Sequence, residues 1–380
     1  MEIYVVQSND TVDLIAEKYG ISVQQIIQDN QLIYPYELAV GQALLLIQGE
    51  RNPLRSIAVS GYAYPFISPW VLEQTLPYLS ELPIFSYGFT YEGELIPPLW
   101  DDEWMIREAE RFGVQSILVL TPFGPDGKFN NSLISSVVNN LSYQNNLIQN
   151  LLMVMGGKGY RGLDIDFEYI LATDRDAFTE FVRRTAEAMR ANGYHTSVAL
   201  APKTSADQTG LLYEGKDYGA LGAVADHVLL MTYEWGYTYG PPMAVAPINQ
   251  VRRVVEYALT EIPAEKIDLG IPNYGYDWPL PYERGITAAT TINNVEAVRI
   301  AIRQGAEIQF DELAQSPYFM YTDGFTGLEH EVWFEDVRSL QTKFNLINEF
   351  NLRGCGYWQI MQWFRANWLL LAENFYVLKA

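Results

Sequence analysis

The chain has 380 residues, 49% hydrophobic and 19% charged, a globular composition long enough for a small module plus one large domain. With 46 acidic against 25 basic residues the formal charge is -21, which excludes nucleic acid and an anionic membrane surface as partners. A single cysteine, Cys355, excludes an internal disulfide, and with only three histidines beside it no metal site and no cofactor is expected.

The N-terminus, Met1-Glu2-Ile3-Tyr4, has neither a basic n-region nor an apolar h-region, so no Sec signal peptide is expected. No apolar run reaches the roughly 18–20 residues of a membrane span. The reading is of a chain made in the cytoplasm.

Residues 3–47 read as β-α-α-β. Tyr4-Val5-Val6-Gln7 suits a short strand. Asp10 or Thr11 can cap a helix running to Tyr19, with Gly20 as its stop. Ser22 can cap a second helix carrying Val23, Ile26 and Ile27 on one face, ended by Asn30. Gly41 turns the chain into a closing strand, 42–47. Tyr4-Val5-Val6, Asp10-Thr11, Ile15-Ala16, Tyr19-Gly20, Ile26, Asn30 and Val40-Gly41-Gln42 resemble the LysM module, a domain that binds peptidoglycan and chitin. The resemblance implies a sugar groove between the 8–11 and 30–34 loops, with Asn9, Asp10, Thr11, Asn30, Leu32 and Ile33 as candidate contacts. Asn9 stands where the family usually has Gly, and Asn tolerates positive φ better than most residues. One copy is visible; linked copies would bind more tightly through effective concentration. The module is placed at 1–48, followed by a polar Gly- and Pro-containing linker, 49–55.

From residue 56 to 380, strand-like and helix-like runs alternate. Candidate strands are 57–62, 83–89, 115–121, 162–168, 195–201, 227–233, 267–272 and 354–359. The clearest helix is 174–191, with Thr173 as N-cap, Asp176 at N3 and Gly193 beyond its end. Eight apolar strands separated by helices predict an α/β fold, a parallel (β/α)8 TIM barrel. A long gap precedes strand eight. Within it, 307–335 reads as short antiparallel strands, a small α+β insertion, and 336–350 as the last helix.

The run Gly162-Leu163-Asp164-Ile165-Asp166-Phe167-Glu168-Tyr169 carries the chemistry. Side chains alternate along a strand, so Asp164, Asp166 and Glu168 share one face and Leu163, Ile165 and Phe167 the other. With the apolar set against the helices, the acids face the barrel interior and Glu168 lies nearest the C-terminal rim, where barrel active sites sit. Three carboxylates so spaced resist joint ionisation in a buried site, which predicts at least one raised pKa. A protonated rim carboxyl can donate its proton to a glycosidic oxygen.

This run resembles the D-x-x-D-x-D-x-E signature of family-eighteen glycoside hydrolases, the chitinase group. Met231-Thr232-Tyr233-Glu234, Gly270-Ile271-Pro272-Asn273-Tyr274-Gly275-Tyr276-Asp277-Trp278 and Gly354-Cys355-Gly356-Tyr357-Trp358 are similar to its runs on strands six, seven and eight. The resemblance covers about residues 56–375. It implies retaining, substrate-assisted catalysis: Glu168 as general acid then base, Asp166 holding the substrate's acetamido N–H, Asp164 sharing a proton with Asp166, Tyr233 on the acetamido oxygen, and Trp358 as the floor. Two departures stand out. Arg161 replaces the signature's first Asp, at a position off the acidic face. Leu118-Val119-Leu120-Thr121-Pro122-Phe123 lacks the family's S-x-G-G on strand three.

Tyr64, Tyr87, Trp235, Glu234, Tyr274, Tyr276 and Trp278 are candidate substrate contacts near the rim, with plain packing as the other reading for the aromatic ones. Lys203 touches substrate or forms a surface salt bridge. Cys355 reads as a small buried residue. A LysM module on such a barrel resembles the spore cortex-lytic N-acetylglucosaminidases, as does Val332-Trp333-Phe334-Glu335-Asp336-Val337-Arg338-Ser339-Leu340. That implies a peptidoglycan substrate cut after N-acetylglucosamine, at the spore cortex, coat or cell wall. A chitinase, an endo-β-N-acetylglucosaminidase acting on other glycans, and a non-catalytic chitinase-like lectin are the alternatives.

Overall fold

The structure, a computed structural model, describes residues 1–379. Glu2–Val5 pairs antiparallel with Ala43–Leu46, and helices Val12–Tyr19 and Val23–Asp29 pack on this ribbon. Thr11, not Asp10, caps the first helix, accepting from Leu14 N at 3.2 Å. Ser22 caps the second, and Gly20 closes the first in the left-handed region at φ 64°. Asn9 also takes positive φ, 69°.

Eight parallel strands form the barrel: Arg55–Gly61, Glu81–Phe89, Gln115–Leu120, Gly162–Ile165, His195–Leu200, His227–Leu230, Ile267–Pro272 and Gly354–Trp358. Each pairs with the next, and Ser60 opposite Glu81 joins the first strand to the second, closing the ring. The first strand begins at Arg55, within the segment read as linker. The fourth hydrogen-bonded strand stops at Ile165, so Asp166 and Glu168 lie on extended chain just beyond it.

Residue parity is kept past that point. Phe167 packs against Phe178 and Phe181 on the helix side, with ring centroids 5.8 Å apart in each case. Burying each such ring contributes roughly 1.5–3 kcal/mol, so the acids have no competitor for the interior face. Phe178 and Phe181 belong to helix Arg175–Ala191. Its N-cap is Asp174 rather than Thr173, which lies in a 3-10 turn, Ala172–Asp174. The Asp174 carboxylate is turned away from the helix, accepting from Ser135 and from Asn139 Nδ2.

The insertion is larger than 307–335. Five antiparallel strands run in the order Thr290–Ile292, Gly275–Pro279, Glu329–Trp333, Ser316–Thr322, Gln309–Asp311, with helix Asn294–Gln304 beside them. The second half of the strand-seven run, from Gly275, therefore belongs to this sheet, where Tyr276 lies opposite Trp333. Helix Val337–Glu349 leads back to strand eight, capped by Asp336.

The N-terminal module docks on this insertion. Ala39 is buried among Ala297, Ile300, Ala301 and Ile308. Ile308 N donates to Val40 O at 2.9 Å and Arg338 Nη2 to Gly41 O at 3.1 Å. Arg365 N donates to Gln31 Oε1 at 2.6 Å. Among the described residues, no helix is long and apolar enough to cross a membrane.

Candidate active site

A cleft of about 590 Å3 opens at the C-terminal ends of the barrel strands. Asp166, Glu168, Tyr233, Glu234, Trp235, Tyr64 and Trp358 line it, drawn from strands one, four, six and eight and the turns after them. Trp358 forms an aromatic wall with Tyr62 at 5.8 Å and Phe85 at 5.1 Å between ring centroids. Pyranose rings pack on such surfaces through their C–H faces.

Asp164 lies beneath, 1% exposed. Tyr62 Oη donates to its Oδ2 at 2.8 Å and Ser197 Oγ to its Oδ1 at 2.6 Å. Burial raises its pKa, and these two donors oppose the rise. Asp166 is also buried, and its Oδ1 has no hydrogen-bond partner among the described residues. Burial, then the charges of Glu168 and Asp164, hold this carboxyl well above the ordinary range. Burial raises Glu168 as well. An unpartnered buried carboxyl oxygen costs about 1–3 kcal/mol.

Lys216 is the residue the sequence reading missed. It is 1% exposed, donates from Nζ to Ala199 O at 2.8 Å, and its charge pulls Asp166 and Glu168 back down. A lone lysine in a loop, far along the chain from the acids, carries no spacing signal. Tyr62 was missed for the same reason. Among the described residues Lys203 neither lines the cleft nor forms a salt bridge: it is buried, with Nζ on Ala206 O at 3.3 Å and Lys216 O at 3.1 Å, tying down the loop that carries Lys216.

Tyr274 and Tyr276 both donate to Glu234 Oε1, the latter at 2.9 Å, and so orient a cleft residue from behind. Tyr87 and Trp278 do not line the cleft. Tyr87 is 1% exposed and donates to Asp102 at 2.7 Å; Trp278 is fully buried and donates from Nε1 to Gly240 O at 2.8 Å. For these two the packing reading replaces substrate contact. Cys355 is buried on strand eight. Arg161 is exposed, whereas Asp164 is buried. In place of the small residues of strand three, Phe123 enters the cleft, braced by Phe129 at 4.7 Å.

In the N-terminal module, Asp10 accepts from Tyr4 Oη at 2.6 Å and Gln7 N at 2.7 Å. Asn30 binds Leu45 through both ends of its amide, at 3.0 and 2.7 Å, and so ties the second helix to the closing strand. Leu32 and Ile33 border a separate cavity of about 260 Å3 facing Val298 and Ile302 of the insertion.

A parallel barrel with a protonatable carboxyl at its rim, a second raised carboxyl behind it and an indole in the cleft wall is the arrangement of a glycoside hydrolase. The model of the family described as Glycosyl hydrolases family 18 matches residues 117–362, and that of the LysM domain residues 4–46. The chain belongs to glycosyl hydrolase family 18 and carries an N-terminal LysM domain. It is 36% identical over 431 residues to the cortical fragment-lytic enzyme of Bacillus subtilis (strain 168), covering 100% of this chain and 99% of that protein. The spore cortex-lytic enzyme SleL of Bacillus megaterium QM B1551 superposes with a TM-score of 0.92 at 33% identity, covering 100% of this chain and 99% of that one. A chitinase of Chromobacterium violaceum ATCC 12472, at 24% identity and a TM-score of 0.76, covers 84% of this chain and 98% of its own, and shares the fold.

Proposed function

We propose that this chain hydrolyses the β-1,4 bond after N-acetylglucosamine in spore-cortex peptidoglycan, with retention and with the substrate's own acetamido group as nucleophile. Glu168 protonates the leaving oxygen. The acetamido oxygen attacks the anomeric carbon, giving an oxazolinium ion. Asp166 Oδ1 accepts the acetamido N–H, and Tyr233 donates to the acetamido oxygen. Asp164 supports Asp166. Glu168 then takes a proton from water, which opens the ring and completes hydrolysis. Trp358 lies under the reacting sugar, while Tyr64, Trp235 and Glu234 meet its neighbours.

The observation that carries this reading is the unpartnered, buried Oδ1 of Asp166 facing a cleft beside a raised Glu168. The cortex as substrate is supported by the full-length similarity to cortical fragment-lytic enzymes. The LysM module would hold the same glycan through the loops bearing Asn9, Asp10 and Thr11 and Asn30, Leu32 and Ile33, and the protein would work at the spore cortex or cell wall.

The test is product analysis of wild type and Glu168→Gln on cortex fragments and on chitin oligomers. Reducing-end N-acetylglucosamine from cortex, by wild type alone, is expected. Faster release from chitin oligomers would make it a chitinase. Binding without release by wild type would make it a lectin.

A further inference from the structure

At the opposite end of the barrel the strands begin with chemistry that the hydrolase does not use. Glu81 opens strand two, His195 strand five and His227 strand six. One ligand atom from each lies within 4.8 Å of the others. His195 Nε2 is 3.8 Å from Glu81 Oε1, and His227 Nε2 is 3.8 Å from Glu81 Oε2. Both distances exceed the roughly 2.7–3.2 Å of an N–H···O bond, and both Nε2 atoms are buried with no partner. We propose that Glu81, His195 and His227 form a binding site for a divalent transition metal, Zn2+ by ligand type, on the floor of the barrel.

Two ligands at about 2.0–2.2 Å from one zinc stand roughly 3.3–4 Å apart, and each Nε2 stands 3.8 Å from a Glu81 oxygen. Imidazole and carboxylate donors suit zinc and its neighbours in the series rather than calcium or magnesium. The outer groups are those a metal site needs. His227 Nδ1 lies 3.0 Å from Asp268 Oδ2 and donates there, which leaves Nε2 as the ring nitrogen turned to the centre. Arg353 holds both carboxylates, donating to Glu81 at 2.6 Å and to Asp268 at 2.5 Å. Around the two imidazoles stand two carboxylates and one guanidinium, a surplus of one negative charge that favours a cation, proton or metal.

His195 has its place because Gly162 has no side chain: a Cβ there would lie 2.6 Å from the imidazole Cε1 and Nε2. Its side chain is 25% exposed, although Nε2 itself is buried. Strand two stands across the ring from the neighbouring strands five and six, so the ion would brace the barrel across its base rather than take part in hydrolysis.

The full-length protein, stripped with chelator and dialysed, is equilibrated with Zn2+ and its metal content measured. The proposal expects about one equivalent per chain in wild type, a rise of several degrees in Tm on adding Zn2+, and loss of both in His227→Ala and His195→Ala. Circular dichroism checks that the variants fold. If they do not, Co2+ added to wild type decides: visible absorption typical of nitrogen ligation supports the site. Absence of Zn2+ uptake by wild type, or equal uptake by folded variants, overturns the proposal and leaves a water bridging the three groups.

Discussion

Tyr62, one residue past the end of strand one, donates its phenol to Asp164 Oδ2 on strand four at 2.8 Å, through the barrel interior. That bond and the one from Ser197 are the two donors that favour the charged form of Asp164. Hydrogen bonds to charged groups contribute about 1.5–3 kcal/mol, so Tyr62→Phe is expected to lower kcat roughly 10- to 100-fold with little change in fold. Steady-state kinetics on a chromogenic chito-oligosaccharide, with circular dichroism as control, checks this. Unchanged kcat would remove Asp164 from the proton balance.

Lys216 sets where the acids titrate. Its positive charge lowers the pKa of both Asp166 and Glu168 against the rise that burial imposes. In Lys216→Met that opposition is gone, and both carboxyls hold their protons to higher pH. In the proposed mechanism catalysis requires protonated Glu168, so activity would be present below its pKa and lost above it. The alkaline limb of kcat/KM is therefore expected to move to higher pH in the variant. A limb that stays in place, or moves to lower pH, contradicts this.

The same acids cost stability. A carboxyl whose folded pKa is raised keeps its proton in the native state after the unfolded chain has released it, so the native state loses ground as pH rises above the unfolded value. Asp166→Asn removes the titration. A Tm increase on the order of one or two degrees is expected at pH 7. It should shrink toward pH 4, where the unfolded Asp is itself partly protonated. Calorimetry at both pH values tests the sign.

Lys343, on the helix leading to strand eight, forms a fully buried pair at 2.8 Å with Glu335, which precedes that helix. Breaking such a pair from one side leaves an uncompensated charge. Lys343→Met is expected to cost about 3–5 kcal/mol, with much of the loss recovered in Lys343→Met/Glu335→Leu. Chemical denaturation of the three proteins checks the pattern; additive losses would show that packing, not charge, dominates.

Gly41 lies where the LysM domain meets the insertion. A Cβ there would sit 1.8 Å from Ile308 O, at a φ of 82°. Gly41→Ala is expected to loosen the contact and raise the rate of proteolysis in the 48–54 segment at least several-fold. Equal rates would show that the contact adapts.

The acidic face was legible because a strand repeats every two residues, so Asp164, Asp166 and Glu168 follow from spacing alone. The β-α-α-β module was legible from caps and stops at Thr11, Gly20 and Ser22. What converges from distant segments was not. Lys216, Tyr62 and the Glu81–His195–His227 group are isolated letters in the chain, brought together only by closing the ring. Tyr87 and Trp278 misled for a different reason: an aromatic near a rim looks the same in the sequence whether it faces sugar or packs inside. Gly275–Pro279 was read with strand seven because nothing in its apolar pattern says which sheet will receive it.

The joint between the LysM domain and the insertion bears on how such chains can be recombined. Ala39 covers Ala297, Ile300 and Ile308, and the backbone of Val40 accepts from that of Ile308. A unit that reads as an interchangeable bead is here a lid over part of its neighbour's oily interior. Excising or swapping it would bare that surface and leave the Ile308 N–H without its acceptor. An engineer exchanging wall anchors on this scaffold would have to carry the insertion's facing helix along with the anchor, or repaint it with polar residues.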